Sequence, residues 1–160
     1  SSLSKAYGTP GIRMGWLMTR NADLYRTFLA AKEQIGICGS VIDEAIGLAV
    51  LQERDNWLAV SNQRNQKHLA ITSDWVAADP LVEWVEPQGG VVCFPRLKVP
   101  AGFDTDRFYT SLLQNHHTYV GAGNWFEMPP THMRIGFAWP TEHELRQGLA
   151  GVSAAVREQV

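Results

Sequence analysis

Residues 2–16, SLSKAYGTPGIRMGW, decide how the rest of the chain is interpreted. They place Lys5 at the mouth of a glycine-rich turn, with the hydroxyls of Ser2 and Ser4 beside it and Arg13 eight residues later. Hydroxyls and a planar guanidinium bind a dianion well, and the glycines let the backbone approach a ligand closely. An isolated lysine beside a structural turn would be a solvated surface residue. This combination instead predicts a phosphate-bearing cofactor that is joined to Lys5.

The composition is typical of a soluble globular protein. Hydrophobic residues make up 45% and charged residues 19% of the 160 positions. Fourteen Lys and Arg oppose sixteen Asp and Glu, a net charge of -2, so neither nucleic acid nor an anionic membrane is expected as the main partner. No apolar run approaches the roughly 18 residues that span a bilayer. His116 and His117 have no carboxylate or thiol nearby in sequence, so no metal site is expected.

The cysteines indicate the redox compartment, and the first residue bears on whether the chain is a fragment. Cys38 and Cys93 lie in apolar surroundings, which is typical of buried free thiols and consistent with a reducing cytoplasm. A disulfide between them is the alternative. The chain begins with Ser1 rather than Met and opens almost on the Lys5 motif. We therefore expect a fragment whose upstream half is missing.

The first part of the chain is predicted to contain one strand and two or three helices. Residues 12–19 are mostly apolar and predict the strand. Asn21 or Asp23 can cap one helix, and Ser40 can cap a second that runs to about Gln52. The predicted buried side of this second helix consists of Val41, Ile42, Ala45, Ile46 and Ala49.

The second part of the chain is predicted to be an α+β layer with an antiparallel sheet. A long helix at about 57–78 leads into it and has a polar middle, as a helix that bridges two domains often does. Strands are predicted at 82–85, 91–94, 118–120 and 133–139, and helices are predicted after Asp104 and from Thr141. The expected domains are therefore residues 1–60, the end of a larger α/β domain, and residues 61–160, a small domain.

The stretch SLSKAYGTPGIRMG resembles the lysine-attachment signature of the class I and II aminotransferases, which are fold-type-I pyridoxal-phosphate enzymes. The resemblance implies that Lys5 carries pyridoxal 5'-phosphate as a Schiff base. It also implies that Ser2 and Arg13 bind the cofactor phosphate, with Ser4 assisting. Thr9 stands where the family usually has an apolar residue, a small departure. The fold implied is α/β, with this chain forming the tail of the cofactor-binding large domain and the small C-terminal domain.

Residues 132–138, HMRIGFA, are similar to the family's C-terminal strand, whose arginine grips the substrate α-carboxylate. This similarity assigns that role to Arg134, and the chemistry agrees because an arginine within an apolar strand needs an anionic partner. An edge-strand arginine that points to solvent is the alternative. Residues 87–94, PQGGVVCF, resemble the family's hairpin at the substrate entrance. Residues 120–126 occupy the place of its P-G-x-x-F stretch, with Ala122 instead of Pro.

The resemblance implies an aminotransferase that moves an amino group between an amino acid and a 2-oxo acid, with Lys5 as general base and acid. Decarboxylases, carbon–sulfur lyases and cyclising synthases share the attachment motif, so they stay open. A third alternative is a non-enzymatic domain that senses pyridoxal phosphate within a transcription regulator. The family usually forms homodimers, and the parent protein is expected to do the same.

Several groups that the family needs for catalysis lie upstream of the attachment lysine. They are the glycine-rich phosphate loop, the aromatic residue that stacks on the ring and the Asp on the pyridine nitrogen. None of them can belong to these 160 residues. We therefore expect the fragment to be inactive alone, although the parent protein is an enzyme.

Overall fold

Five α-helices and four two-residue strands follow one another in the computed structural model, which describes residues 1–160. The chain divides into unit 1, residues 1–62, and unit 2, residues 63–160. Helix α3, Arg54–Ala78, is continuous over 25 residues, which confirms the predicted long helix. None of the helices has the length and apolar character that a membrane crossing requires.

Unit 1 contains helix α1, Ala22–Ile35, and helix α2, Val41–Gln52. The side chain of Asn21 accepts hydrogen bonds from two backbone N–H groups in the first turn of α1, and the Ser40 hydroxyl accepts one, from the Asp43 N–H of α2. Such side-chain acceptors satisfy N–H groups that have no partner within a helix. Both predicted capping positions are confirmed.

The predicted strand at 12–19 is wrong. Its regular pairing is limited to a single antiparallel bridge between Ser2 and Gly15. Leu17 and Met18 are 76% and 86% exposed. A strand exists only where a neighbour pairs with it, and the neighbour present here is the short segment that begins at Ser1.

The predicted buried side of α2 is also wrong, because Val41 and Ile42 are 78% and 72% exposed. The buried positions of this helix are Gly47 and Val50. A Cβ built on Gly47 would lie 3.2 Å from the Leu3 side chain. The absence of a side chain at this glycine therefore lets Leu3 pack closely on the helix, which orients α2 away from the predicted face.

Unit 2 contains the antiparallel sheet that the sequence predicts. Strand β1, Val82–Glu83, pairs with β2, Arg96–Leu97, and strand β3, Gly121–Ala122, pairs with β4, Met133–Arg134. Two isolated bridges, Cys93 to Ile135 and Arg96 to His132, link the two pairs. The predicted strand bounds were only partly right: β2 was missed, and β3 begins just after the predicted 118–120.

The core of unit 2 lies between the sheet and helices α4, Thr105–Gln114, and α5, Glu142–Arg157. Asp104 caps α4 as predicted, and Thr141 caps α5 at its predicted start. The largest fully buried side chains include Phe108, Leu112, Met133, Phe137 and Val152.

A hydrogen-bonded cluster joins the end of α3 to α5. The Asp79 carboxylate accepts two hydrogen bonds of 3.0 Å from the Arg157 guanidinium and one from the Ser153 hydroxyl. Ser153 in turn accepts a hydrogen bond of 2.8 Å from the Trp75 indole. Burial acts to raise the pKa of Asp79, but these hydrogen bonds outweigh it, so the pKa lies below its ordinary value.

The two cysteines are free thiols in different settings. Cys93 is buried in the core, and burial raises the pKa of its thiol to about 12. Cys38 is exposed in the loop between α1 and α2. The prediction of a buried thiol is therefore confirmed at Cys93 and wrong at Cys38, because a loop leaves an apolar local sequence without packing partners.

Candidate functional site

A closed backbone loop presents Lys5 at the surface of unit 1. The Leu3 N–H donates to the Met14 carbonyl over 3.1 Å, and the Leu3 carbonyl accepts from both the backbone and the hydroxyl of Thr9. The Gly8 N–H donates to the Lys5 carbonyl over 3.1 Å, and Gly8 has a φ of 67°. That left-handed conformation favours glycine, so the glycine of the motif has a direct structural reason.

Leu3 anchors this loop. Its side chain is 1% exposed and lies against Gly47 and Met14. On the other strand of the loop, a Cβ at Gly15 would come within 2.9 Å of the Ser1 carbonyl oxygen. The two ends of the motif are therefore held together by backbone contacts rather than by the polar side-chain groups that were predicted to bind a ligand.

The predicted ligand-binding groups of unit 1 have few partners within the chain. Lys5 is exposed and forms no hydrogen bond or ion pair, and the Ser2 and Ser4 hydroxyls are half-buried without a hydrogen bond. Arg13 is exposed, and one guanidinium nitrogen donates to the Pro10 carbonyl over 2.6 Å. The loop thus leaves an amine, two hydroxyls and most of a guanidinium available to a ligand.

Arg134 lies in unit 2, on β4. Its neighbours Met133 and Ile135 are buried in the core, so strand alternation places the half-buried Arg134 on the opposite face of the sheet. Its guanidinium carbon lies 5.9 Å from the centre of the Phe126 ring. No carboxylate of the chain forms an ion pair with Arg134. A half-buried cation without an anionic partner is a candidate for binding an anionic ligand.

Three rings continue from Arg134 across the same face of unit 2, and we call Phe94, Phe126 and His132 the aromatic wall. Phe94 contacts Phe126 edge-to-face at 5.6 Å and stacks on His132 at 5.6 Å with an angle of 25°. The Nδ1 atom of His132 is buried without a hydrogen-bond partner. Sequence reasoning missed this wall, although the spacing of two between His132 and Arg134 places both on one face of a strand.

Arg96 lies on β2 and forms an antiparallel bridge with His132, two residues before Arg134. It is exposed, and it forms an ion pair with Glu83 across the β1–β2 pair.

Comparison with known proteins matches residues 1–152 to the family described as aminotransferase class I and II. Capreomycidine synthase from Streptomyces vinaceus is 30% identical over 153 residues, which cover 95% of this chain and 38% of the synthase. A PLP-dependent aminotransferase from Streptococcus suis 89-1591 has a similar structure, with a TM-score of 0.89 and 29% identity. The PLP-dependent cyclase OrfR is also similar, with a TM-score of 0.85 and 28% identity.

These similarities extend over nearly the whole of this chain but only part of each relative. The two solved structures are matched over 99% of this chain and over 41% and 42% of their own chains. The chain therefore spans about two fifths of the length of the relatives that it matches.

Proposed function

This chain belongs to the class I and II aminotransferases, a family of fold-type-I enzymes whose cofactor is pyridoxal phosphate, and on that premise we propose that Lys5 holds the cofactor as a Schiff base. The whole protein is then an aminotransferase that exchanges an amino group between an amino acid and a 2-oxo acid. The observation that carries this proposal is the Lys5 loop, which presents an exposed, unpartnered amine within a family attachment sequence.

The donors of the loop fit this cofactor. An aldehyde requires an accessible amine, which Lys5 supplies, and a phosphate dianion requires several donors. Ser2 lies opposite Gly15 in the loop, two residues from Arg13, so a hydroxyl and a guanidinium belong to adjoining segments. Ser4 carries a further hydroxyl next to Lys5. We therefore assign Ser2 and Arg13 to the phosphate, with Ser4 in support.

The chain's own residues have two tasks in this proposal. When bound, the cofactor supplies an electron-withdrawing ring that makes the substrate Cα–H bond acidic. Lys5 would hold the cofactor and, when released by the substrate amine, would serve as the general base and acid that takes up and returns the proton of the substrate Cα. Arg134 binds the substrate carboxylate with two parallel hydrogen bonds, which orients the Cα–H bond for this transfer.

The organisation of the whole protein follows from the same proposal. Unit 1 belongs to the cofactor-binding large domain and unit 2 is the small domain. The substrates are two small molecules, an amino acid and a 2-oxo acid, and the whole protein is a homodimer.

A cyclising synthase is the second candidate. Two of the similar proteins, capreomycidine synthase and the cyclase OrfR, carry names of that kind. Their identities of 30% and 28% bracket the 29% of the aminotransferase from Streptococcus suis. Both reactions need an attachment lysine and proton transfer at the substrate Cα, so the roles of Lys5 and the cofactor are common to both candidates.

Product analysis distinguishes these candidates. The whole protein, saturated with pyridoxal phosphate, is incubated with single amino acids in the presence and absence of a 2-oxo acid acceptor. An aminotransferase yields the 2-oxo acid of the donor together with an equal amount of aminated acceptor, and the Lys5→Ala variant yields neither. A cyclised product formed without acceptor would replace the first candidate by the second. Unchanged turnover in Lys5→Ala would contradict both.

A further inference from the structure

The outer face of the unit 2 sheet carries features that its core does not need. Met133, Ile135 and Phe137 point into the core and are at most 7% exposed, whereas His132 and Arg134 alternate with them on the other face. Phe94 follows the buried Cys93 and lies on this outer face as well. An outer face of a sheet usually carries isolated polar side chains, so a continuous ring surface there calls for an explanation.

The aromatic wall and Arg134 form one contiguous surface. The successive separations are 5.6 Å from His132 to Phe94, 5.6 Å from Phe94 to Phe126, and 5.9 Å from Phe126 to the Arg134 guanidinium carbon. Phe126 is 43% exposed, so part of its ring is available to a ligand. Residues two positions apart on a strand are separated by about 7 Å, so the wall lies within one amino-acid length of Arg134.

The charges on this face indicate which side chain the wall would accept. Arg134 has no acidic partner within the chain, and Glu83 on β1 is already paired with Arg96. A cationic side chain would lose its hydration against apolar rings and would gain no ion pair from Arg134. A second carboxylate would lie against apolar rings and compete for the same guanidinium. An uncharged planar ring loses least on desolvation and gains most from ring contacts.

We propose that Phe94, Phe126 and His132, beside Arg134, form the subsite for the substrate side chain and select an amino acid with an uncharged aromatic side chain. This inference rests on the proposed function, because Arg134 fixes the position of the substrate carboxylate. The substrate ring then makes edge or stacking contacts with the wall, which are absent for a small aliphatic substrate.

The test uses the whole protein with its cofactor and compares amino-donor reactions of L-phenylalanine, L-alanine, L-glutamate and L-lysine. The wild type is expected to have its highest kcat/KM with L-phenylalanine. In Phe94→Leu and Phe126→Leu, the preference for L-phenylalanine over L-alanine falls about tenfold. Trp139→Leu is the matched control, because Trp139 is 81% exposed and lies outside the wall. It leaves the preference unchanged.

The outcomes separate this inference from the proposed function. A measurable L-alanine rate shows that a variant is folded and loaded. Phe126→Leu, at a partly exposed position, replaces Phe94→Leu if that variant is unstable. A wild type that reacts through Lys5 but prefers alanine, glutamate or lysine would overturn the subsite and leave the function standing. Wall variants with an unaltered preference would do the same. A protein that reacts with no amino acid would overturn both.

Discussion

Unit 1 and unit 2 differ sharply in how they bury their apolar residues. In unit 1 the buried hydrophobic side chains are Leu3 and Val50, and helix α1 has no buried residue at all. Unit 2 has a contiguous core in which Phe108, Met133 and Val152 are completely inaccessible. Within these 160 residues, the groups proposed to hold the cofactor therefore lie in the unit with fewer buried apolar side chains, and the arginine proposed to hold the substrate lies in the unit with more.

This difference shows that a sequence motif can form its local structure with little buried core beneath it. The Lys5 loop is closed by its own backbone hydrogen bonds, and it rests on one buried side chain, Leu3. Arg134 instead lies on a strand whose neighbours are core residues on either side. Isolated helices of 14 residues are marginal in water, so burial rather than helix propensity should decide the stability of each unit.

Hydrogen exchange on the 160-residue chain tests the difference in burial between unit 1 and unit 2 with the largest expected effect. Amides in α5, which has six buried residues, should exchange at least about a thousandfold more slowly than amides in α1, which has none. Mass spectrometry of peptides from the two helices measures the ratio. Equal protection of α1 and α5 would contradict the difference between the units.

A single glycine tests how tightly unit 2 is packed. A Cβ at Gly123 would overlap the Pro129 carbonyl oxygen and lie 2.9 Å from that of His132. Gly123→Ala should therefore lower the free energy of unfolding by about 4 kcal/mol, measured by urea denaturation of the whole protein. The control is Gly136→Ala, where nothing lies within 4 Å and little change is expected. Equal losses in the two variants would count against the packing described.

The proposed binding of the substrate carboxylate is tested by removing the guanidinium of Arg134. Arg134→Gln should lower kcat/KM for the amino-acid donor about a hundredfold, or about 3 kcal/mol, because a carboxylate loses its charge-assisted hydrogen bonds. Steady-state kinetics with the whole protein measures this. Arg96→Gln is the matched control, since Arg96 is already paired with Glu83, and it should change the value less than about threefold. A larger loss in the control would move the carboxylate site to Arg96.

The cluster around Asp79 gives the smallest predicted effect and a pH signature. Because the pKa of Asp79 is lowered in the folded protein, its stabilisation is present above the unfolded pKa of about 3.9 and is lost as the pH falls through the folded value. Asp79→Asn should cost about 2 kcal/mol at neutral pH and flatten the loss of stability in acid. Denaturation of the whole protein at several pH values measures both, with the exposed Asp74→Asn as control. A variant as acid-sensitive as the wild type would refute this assignment.

The parts of the fold that were predictable from the sequence are the local ones. Asn21, Ser40, Asp104 and Thr141 cap their helices because a side chain and a nearby backbone N–H suffice for a cap. The buried side of α2 was not predictable, since it depends on Leu3, which is distant in sequence. The strand bounds failed for the same reason: two-residue strands are defined by their partners.

The candidate site also has one part that local sequence determines and one part that depends on distant contacts. The Lys5 motif is contiguous in sequence, so its chemistry and its family could be inferred without a structure. The aromatic wall draws Phe94, Phe126 and His132 from three separate segments. Their proximity follows from the Cys93–Ile135 bridge and the β3–β4 pair, which no local pattern specifies.

Reductive trapping tests the central claim most directly. Borohydride treatment of the whole protein with bound cofactor, followed by proteolysis and mass spectrometry, identifies the lysine that carries the phosphopyridoxyl group. The account predicts the modification at Lys5 and not at Lys32, Lys67 or Lys98, the other lysines of this chain. It also predicts that an amino-acid donor added before the borohydride lowers the yield at Lys5. A modification at another lysine, or none at Lys5, would contradict the account.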